Sequence, residues 1–274
     1  MRRYARIYFV ALLLAAVLAA GSRGSTAATA SSVTAASKTG SANLRLVAIG
    51  DSIPYNSPAD CPGCTGFVDR YARAVEKATG RRVTLQNLSQ HNNLTLPGLL
   101  AELDSFKSPL VAADVIVVSI AHNTIELNAD RPCGASLQHD LPQWAAMDRA
   151  CALRSAKKAR RLYDRLYARI AALREGKQTI LRTINRYNDW IGDARLTPSQ
   201  ERLTAMFIAT WNAELCQSAR AHRFGCADIS RAFNGATGLK PSGDLLGADY
   251  THPSQKGNAV IARTLIGLGF APVA

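Results

Sequence analysis

The chain has 274 residues, enough for one sizeable domain once any targeting segment is removed. Its formal net charge is +13, and the chain stays basic beyond residue 43, because residues 1–43 hold only five of the cations and no acids. No aromatic-interleaved basic motif accompanies this charge, so we expect no nucleic-acid partner.

The first residues have the pattern of a secretory signal peptide. Three arginines precede an apolar run that extends from Ile7 to Ala20 and is followed by small residues. A membrane-spanning helix needs roughly 20 apolar residues, which favours a cleaved signal over an uncleaved anchor. We therefore predict a signal peptide at 1–20, a flexible Ser/Thr/Ala-rich leader at 21–43, a folded domain at 44–274 and a secreted, extracellular protein.

Hydrophobic patterns predict strands that alternate with helices along the domain. Apolar or β-branched runs predict strands, and helical periodicity predicts helices. In chain order the expected elements are strand 44–49, helix 67–79, strand 83–88, helix 96–103, strand 114–120, helix 147–173, strand 178–185, helix 198–222, strand 226–230 and a helix after Pro253. This alternation predicts an α/β fold, a three-layer α/β/α sandwich with a five-stranded parallel sheet.

The predicted helix at 147–173 belongs to a strongly basic segment. Eight cations lie between Arg154 and Arg174, with Asp164 as the one acid among them. Such a stripe is ordinarily a solvated helix face. The alternative is attraction to an anionic surface, such as phospholipid or an acidic wall polymer, so an anionic envelope surface is a candidate partner.

Six cysteines follow the export signal, which indicates disulfide bonds formed in an oxidising compartment. We favour pairing between sequence neighbours, since each pair brackets a short loop-like segment. The expected pairs are Cys61–Cys64, Cys133–Cys151 and Cys216–Cys226. The first pair also has the CxxC form of a redox site or half a zinc site. No second CxxC or paired histidines complete four ligands, and the motif lies in a proline-rich loop, so we predict a structural bridge and no metal.

Polar residues follow the predicted strands where open α/β sheets bind ligands. Gly50-Asp51-Ser52 follows the first strand, and Asp249 and His252 lie near the C-terminus, just before Pro253. A serine hydroxyl is a weak nucleophile unless a base takes its proton, and imidazole is the better base when a carboxylate fixes its tautomer. Ser52, His252 and Asp249 offer these three roles, while Asp51 is interpreted as structural.

These residues, together with Asn123 after a later strand, resemble the motifs of the SGNH hydrolases, also called GDSL-type esterases and lipases. The resemblance spans about residues 44–272. It implies a flavodoxin-like sandwich in which Ser52 is the nucleophile, His252 the base and Asp249 its support, with no cofactor. The family's oxyanion hole uses the serine backbone N–H, a glycine backbone N–H and an asparagine side chain.

Carried onto this chain, the implied oxyanion donors are Ser52, Asn92 or Asn93, and Asn123. The loop at 87–93 has no glycine, but a backbone N–H survives substitution, and asparagine tolerates left-handed geometry. The family's GxND block reads Ala-His-Asn-Thr at 121–124, which keeps the asparagine but changes both flanks. His91 and His122 also fall in the expected crevice, where we interpret them as ordinary loop histidines rather than substrate contacts.

We therefore expect a monomeric, secreted serine ester hydrolase that acts on lipid or short-chain acyl esters through an acyl-enzyme. Its expected partner is a small-molecule or lipid ester substrate. Two alternatives stay open at this point. One is a non-catalytic envelope- or carbohydrate-binding protein that keeps the fold, and the other is an acyltransferase that uses the same triad with an alcohol in place of water.

Overall fold

The computed structural model describes residues 43–124 and 148–273. The predicted signal peptide, the leader up to residue 42 and the segment that contains Cys133 lie outside the described residues. The strands are β1 (Leu44–Gly50), β2 (Val83–Asn87), β3 (Val115–Ser119), β4 (Ile180–Ile184) and β5 (Gly225–Ala227). The helices are α1 (Ser52–Tyr55), α2 (Phe67–Thr79), α3 (Leu96–Glu102), α4 (Lys107–Ala112), α5 (Arg149–Leu173), α6 (Pro198–Ala221), α7 (Ile229–Asn234) and α8 (Gln255–Ile266), with 3₁₀ turns at Leu103–Phe106 and Gly243–Leu245.

The strands form one sheet in the order β2-β1-β3-β4-β5, and every pair is parallel. This order confirms the predicted three-layer sandwich with a five-stranded, flavodoxin-like sheet. From β1 the chain first adds β2 on one side, and then β3, β4 and β5 on the other side, so the order of strands switches between β1 and β3. Ligand sites in open α/β sheets lie at such a switch point, beyond the carboxyl ends of the strands.

Two apolar cores lie on opposite faces of the sheet. The central strand β3 shows why its sequence is a continuous apolar run: Val115 and Val117 point into one core, and Ile116 and Val118 into the other. Helices α3 to α6 cover the face with Ile116, and α2, α7 and α8 cover the face with Val115. A sheet packed on both sides leaves its carboxyl edge as the place where polar loops gather.

The last predicted strand was too long. We expected a strand over 226–230, but β5 ends at Ala227 and α7 begins at Ile229. The cause is Asp228, whose side chain accepts the Arg231 backbone N–H and so caps the helix. The short helical segments between residues 103 and 112 were not predicted at all.

Two of the expected disulfide bonds are present. Cys61 is bonded to Cys64 and Cys216 to Cys226, with Cα separations of 5.5 and 5.4 Å. The third predicted pair includes Cys133, which lies outside the described residues. In the part of the chain that the structure describes, no helix has both the length and the apolar character needed to cross a bilayer.

Candidate active site

Ser52 lies at the carboxyl end of β1, where the strand turns abruptly into helix α1. The turn requires glycine at position 50, because a Cβ there would lie 1.8 Å from the Ser119 carbonyl oxygen on β3. Gly50 therefore lets β1 and β3 stay paired up to their last residues. The close approach places Ser52 at the switch point of the sheet.

Asp51 fastens the loop after β1 to the loop after β3. Its carboxylate is fully buried and accepts the Ile53 N–H through one oxygen and the His122 N–H through the other, both at 3.1 Å. Burial raises the pKa of this carboxyl to about 6, although the backbone hydrogen bonds and the Arg186 charge act in the opposite direction. Its contacts are structural, as expected from the sequence.

Asp249 organises the turn that precedes α8. One carboxylate oxygen accepts the backbone N–H groups of Thr251 and His252, each at 3.0 Å, and the other lies 2.5 Å from Nδ1 of the His252 ring. Burial alone would raise the pKa of Asp249. The hydrogen bonds from the His252 ring and from the two backbone groups outweigh it and hold the pKa below its usual range.

His252 connects this turn to the nucleophile candidate. Its Nε2 lies 2.9 Å from Oγ of Ser52, a residue 200 positions earlier in the chain. Since Nδ1 faces a carboxylate that only accepts, the ring proton resides on Nδ1, and Nε2 keeps a lone pair for the serine hydroxyl. The structure thus brings Ser52, His252 and Asp249 into one hydrogen-bonded line.

Contacts between the two ends of the domain hold that line in place. The Asn258 side chain on α8 accepts the Phe67 backbone N–H at 2.9 Å and donates to the Asn56 side chain at 3.1 Å. At Gly257 a Cβ would lie 2.0 Å from the Leu245 carbonyl oxygen, so only glycine lets α8 begin this close to the preceding segment. The first and last motifs are therefore joined by packing as well as by the His252–Ser52 contact.

The His122 ring contacts a residue of the loop that follows β4. It packs on the Tyr187 ring with centroids 4.3 Å apart. Burial, together with the charges of Arg186 and His252, lowers the pKa of His122 well below its usual value. The Tyr187 hydroxyl in turn donates to the Thr251 carbonyl at 2.5 Å, which links the loop after β3 to the turn that holds His252.

Asn123 follows directly in the loop after β3. Its amide donates one N–H to the Leu94 carbonyl at 3.3 Å, and a primary amide carries a second N–H for another acceptor. Thr124, where the family has aspartate, accepts the Leu96 N–H at 2.8 Å through its hydroxyl. The altered flank therefore still binds the neighbouring loop, and the two loops fix each other.

Asn92 and Asn93 differ in backbone geometry. Asn93 adopts a left-handed conformation with φ 58°, whereas the Asn92 side chain donates to the Gln90 side chain at 2.7 Å. Both side chains are exposed. Of the two asparagines, Asn93 therefore has the left-handed backbone conformation that glycine adopts readily.

Two further polar groups lie beside the His252 ring. Oδ2 of Asp60 is 3.5 Å from His252 Nε2 and 2.9 Å from His91 Nε2, and the His91 and His252 ring centroids are 5.8 Å apart. His91 was expected in the crevice from its position after the second strand, whereas no sequence pattern indicates Asp60. Asp60 lies in an irregular loop with no recognisable motif, and its one signal is its position just before Cys61.

The sequence profile of the GDSL-like Lipase/Acylhydrolase family matches residues 48–260. Among solved structures, the lipase Lip_vut3 from a goat rumen metagenome is similar, with a TM-score of 0.66 and 22% identity over 85% of this chain and all of that one. The extracellular lipase of Streptomyces rimosus has a TM-score of 0.57 at 17% identity, over 82% of this chain and 99% of that one. The acetyl xylan esterase AlAXEase has a TM-score of 0.54 at 14% identity, over 83% and 100%. No curated protein matches the chain.

Proposed function

Since the chain belongs to the GDSL-like lipase/acylhydrolase family, we propose that it is a secreted serine hydrolase of carboxylic esters that works through an acyl-enzyme. The observation that carries this proposal is the hydrogen-bonded line from Ser52 Oγ through the His252 ring to Asp249. Nucleophile, base and orienting carboxylate are the three groups that a serine hydrolase needs.

In the acylation step, Ser52 Oγ attacks the ester carbonyl carbon while His252 Nε2 takes the hydroxyl proton. Asp249 stabilises the imidazolium that forms, and its acceptance of two backbone N–H groups keeps it ionised and in place. The tetrahedral intermediate collapses with cleavage of the carbon–oxygen bond to the alcohol. The alcohol leaves with the proton from Nε2, and Ser52 remains acylated.

Three donors are proposed to stabilise the negative charge on the carbonyl oxygen in this intermediate. They are the Ser52 backbone N–H, the Asn93 backbone N–H and the second N–H of the Asn123 amide. The left-handed backbone of Asn93 supports its assignment over Asn92, and the Asn123–Leu94 hydrogen bond supports a fixed amide. One such donor contributes about 3 kcal/mol to transition-state stabilisation.

In the second step, water replaces the alcohol. His252 Nε2 takes a proton from water as the water oxygen attacks the acyl carbon. The bond from the acyl carbon to Ser52 Oγ then breaks, Oγ receives the proton from Nε2, and the carboxylic acid is released. The proposed substrates are lipid or short-chain acyl esters. Tyr250 stands between Asp249 and His252 in the chain, and its ring is 76% exposed, which supports a substrate that carries an apolar group.

We also propose that the protein is secreted. The Cys61–Cys64 and Cys216–Cys226 bonds support it, because disulfides form and persist in oxidising compartments. The structurally similar Streptomyces rimosus protein is itself an extracellular lipase.

The exposed face of α5 is proposed to contact anionic phospholipid surfaces. Arg154, Lys157, Arg161 and Arg165 recur every three or four residues and are all exposed. No ion pair joins any of them to another described residue. Four cations on one helical face, without an ion-pair partner among the residues that the structure describes, complement a negatively charged lipid surface.

A panel of p-nitrophenyl esters of increasing acyl length, assayed alongside phospholipids and acetylated sugars, tests the proposed activity. We expect ester hydrolysis by the wild-type chain and its loss in a folded Ser52→Ala variant. Hydrolysis that survives in Ser52→Ala contradicts the proposed mechanism. Transfer of the acyl group to an added alcohol in preference to water would instead identify an acyltransferase, and a folded chain with neither activity would identify a binding protein.

A further inference from the structure

Asp60, His91 and His252 direct three potential metal-ligating atoms at one point beside Ser52. One ligand atom from each of the three residues lies within 4.8 Å of the other two, and the Nε2 atoms of both histidines face Oδ2 of Asp60. In a tetrahedral zinc site with bonds of about 2.0–2.2 Å, ligand atoms lie about 3.3–3.6 Å apart. The Asp60–His252 distance of 3.5 Å falls within this range, whereas the Asp60–His91 distance of 2.9 Å is shorter, so the His91 ring has to move outwards slightly to admit the ion.

Oδ2 of Asp60 lacks a hydrogen-bond partner in this cluster. Oδ2 is buried, and it has no hydrogen-bond partner among the described residues, although His91 Nε2 is 2.9 Å away. The short contact is therefore not aligned as a hydrogen bond. Atoms that bind the same cation point their lone pairs at the ion and not at each other. A shared ion therefore satisfies the Asp60 oxygen in a geometry that does not allow a direct hydrogen bond to His91.

His252 is already prepared as a ligand by Asp249. The carboxylate holds the ring proton on Nδ1, which leaves the Nε2 lone pair directed towards Ser52 and Asp60. A histidine that donates its other ring N–H to a carboxylate is the usual arrangement around zinc, because the carboxylate fixes the tautomer and raises ligand basicity. The contact that makes His252 a base also makes it a zinc ligand.

We propose that Asp60, His91 and His252 form a binding site for a borderline divalent cation such as Zn²⁺, and that the bound ion inhibits ester hydrolysis. Two imidazoles and one carboxylate suit zinc in ligand type, and solvent or Ser52 Oγ completes four-coordination. The bound ion occupies the Nε2 lone pair, so the Ser52 hydroxyl loses its proton acceptor. This site departs from the sequence-based expectation of no metal. The inhibition rests on the proposed hydrolase function, whereas the binding does not.

Zinc titration of the chelator-treated full chain tests the site, with binding followed by calorimetry and ester hydrolysis followed in parallel. We expect one Zn²⁺ per chain, a loss of activity that tracks occupancy, and recovery with EDTA. The Ser52→Ala variant keeps Asp60, His91 and His252, and solvent can take the fourth position, so the variant should still bind one Zn²⁺ per chain. Binding can therefore be scored even if the chain hydrolyses no ester.

Asp60→Asn and His91→Gln should each bind Zn²⁺ at least about tenfold more weakly, since each removes one ligand. Each variant's hydrolysis is compared with and without Zn²⁺, so a change in its own basal rate does not confuse the result. His222→Gln is the matched control, because His222 lies beside Asp164 on another part of the surface. Zn²⁺ affinity that is absent from the wild type, or is unchanged in folded Asp60→Asn and His91→Gln, overturns the proposal. Zinc binding that leaves hydrolysis unaffected overturns the inhibition.

Discussion

At the scale of single residues, Asp51 is a fully buried carboxyl next to the proposed nucleophile Ser52, and its pKa is raised. At pH 4 the folded wild type holds Asp51 as a protonated carboxyl, and both of its oxygens still have lone pairs for the Ile53 and His122 N–H groups. Asp51→Asn replaces one oxygen with an NH₂ that cannot accept, so at pH 4 the variant should be less stable than wild type by about 1–3 kcal/mol.

This difference should shrink as the pH rises. The pKa of Asp51 is raised from 3.8 to about 6, so the folded state holds the proton more tightly than the unfolded state. Stability from this group is present below pH 3.8 and is lost as the pH rises through 6, by about 3 kcal/mol in all. Urea denaturation of both proteins from pH 4 to pH 7 measures the gap, and a gap that stays constant contradicts the assignment.

Asn93 offers a second test at this scale, because a backbone donor and a side-chain donor respond differently to substitution. Asn93→Gly keeps the backbone N–H and suits φ 58°, so hydrolysis should stay close to wild type. Asn93→Ala adds roughly 1–2 kcal/mol of left-handed strain and should lower both stability and activity. If instead the side chain were the donor, Asn93→Gly would lose about 100-fold in kcat.

Chemical type and order along the chain were sufficient to group Ser52, Asp249 and His252, because each role demands a particular side chain. Nothing in the sequence predicted the contacts of Asp60. Its position depends on how the 56–66 loop folds back, and Gly247 accommodates it, since a Cβ there would lie 3.2 Å from the Asp60 carbonyl oxygen. Contacts between irregular loops carry no periodic signal.

At the scale of elements, the cationic face of α5 makes a separable prediction. Each cation near an anionic bilayer contributes about 1 kcal/mol, so Arg161→Gln with Arg165→Gln should weaken binding to phosphatidylglycerol vesicles by about 30-fold. Arg73→Gln with Lys77→Gln on α2 is the matched control, since it removes the same charge from the opposite layer. Vesicle co-sedimentation measures the effect.

Raising the salt concentration should weaken the wild-type interaction, because surface electrostatics are screened within about 10 Å at 0.1 M. If the α5 and α2 variants bind the vesicles equally well, the basic face of α5 is an ordinary solvated helix face.

Long or fully buried elements were the ones predicted well from sequence. Helix 67–79 was predicted with the observed bounds, and the strongest strand signal, 114–120, became the central strand β3. The segment 103–112 was missed because its 3₁₀ turn and its six-residue helix are too short to show a period. Strand 226–230 was overextended because capping by Asp228 overrides the apolar Ile229.

At the scale of the whole molecule, the site depends on joining segments about 200 residues apart. The Asn258 contacts to Phe67 and Asn56 do this, and no local pattern announces them. The order of the motifs predicted that the first and last segments of the domain lie together. The side chains that connect these segments were visible only in the packed structure.

The Cys216–Cys226 bond acts at the same scale, since it joins the end of α6 to β5 at the sheet edge. Closing a loop of this length stabilises the folded state by about 2–3 kcal/mol, chiefly by restricting the unfolded chain. The double variant Cys216→Ser with Cys226→Ser should therefore unfold at a lower urea concentration, by that free energy. An unchanged midpoint would show that the bridge constrains little.

Hydrolysis by this chain requires that Ser52 is a nucleophile activated by His252. Covalent labelling of the full chain with a fluorophosphonate, read by intact mass and then by peptide mapping, tests this activation most directly. We predict a single adduct on Ser52, absent from Ser52→Ala and formed more than about a thousandfold more slowly in His252→Gln. An adduct on another residue, or an inert Ser52 in a folded chain whose His252 still lies beside it, would contradict the account.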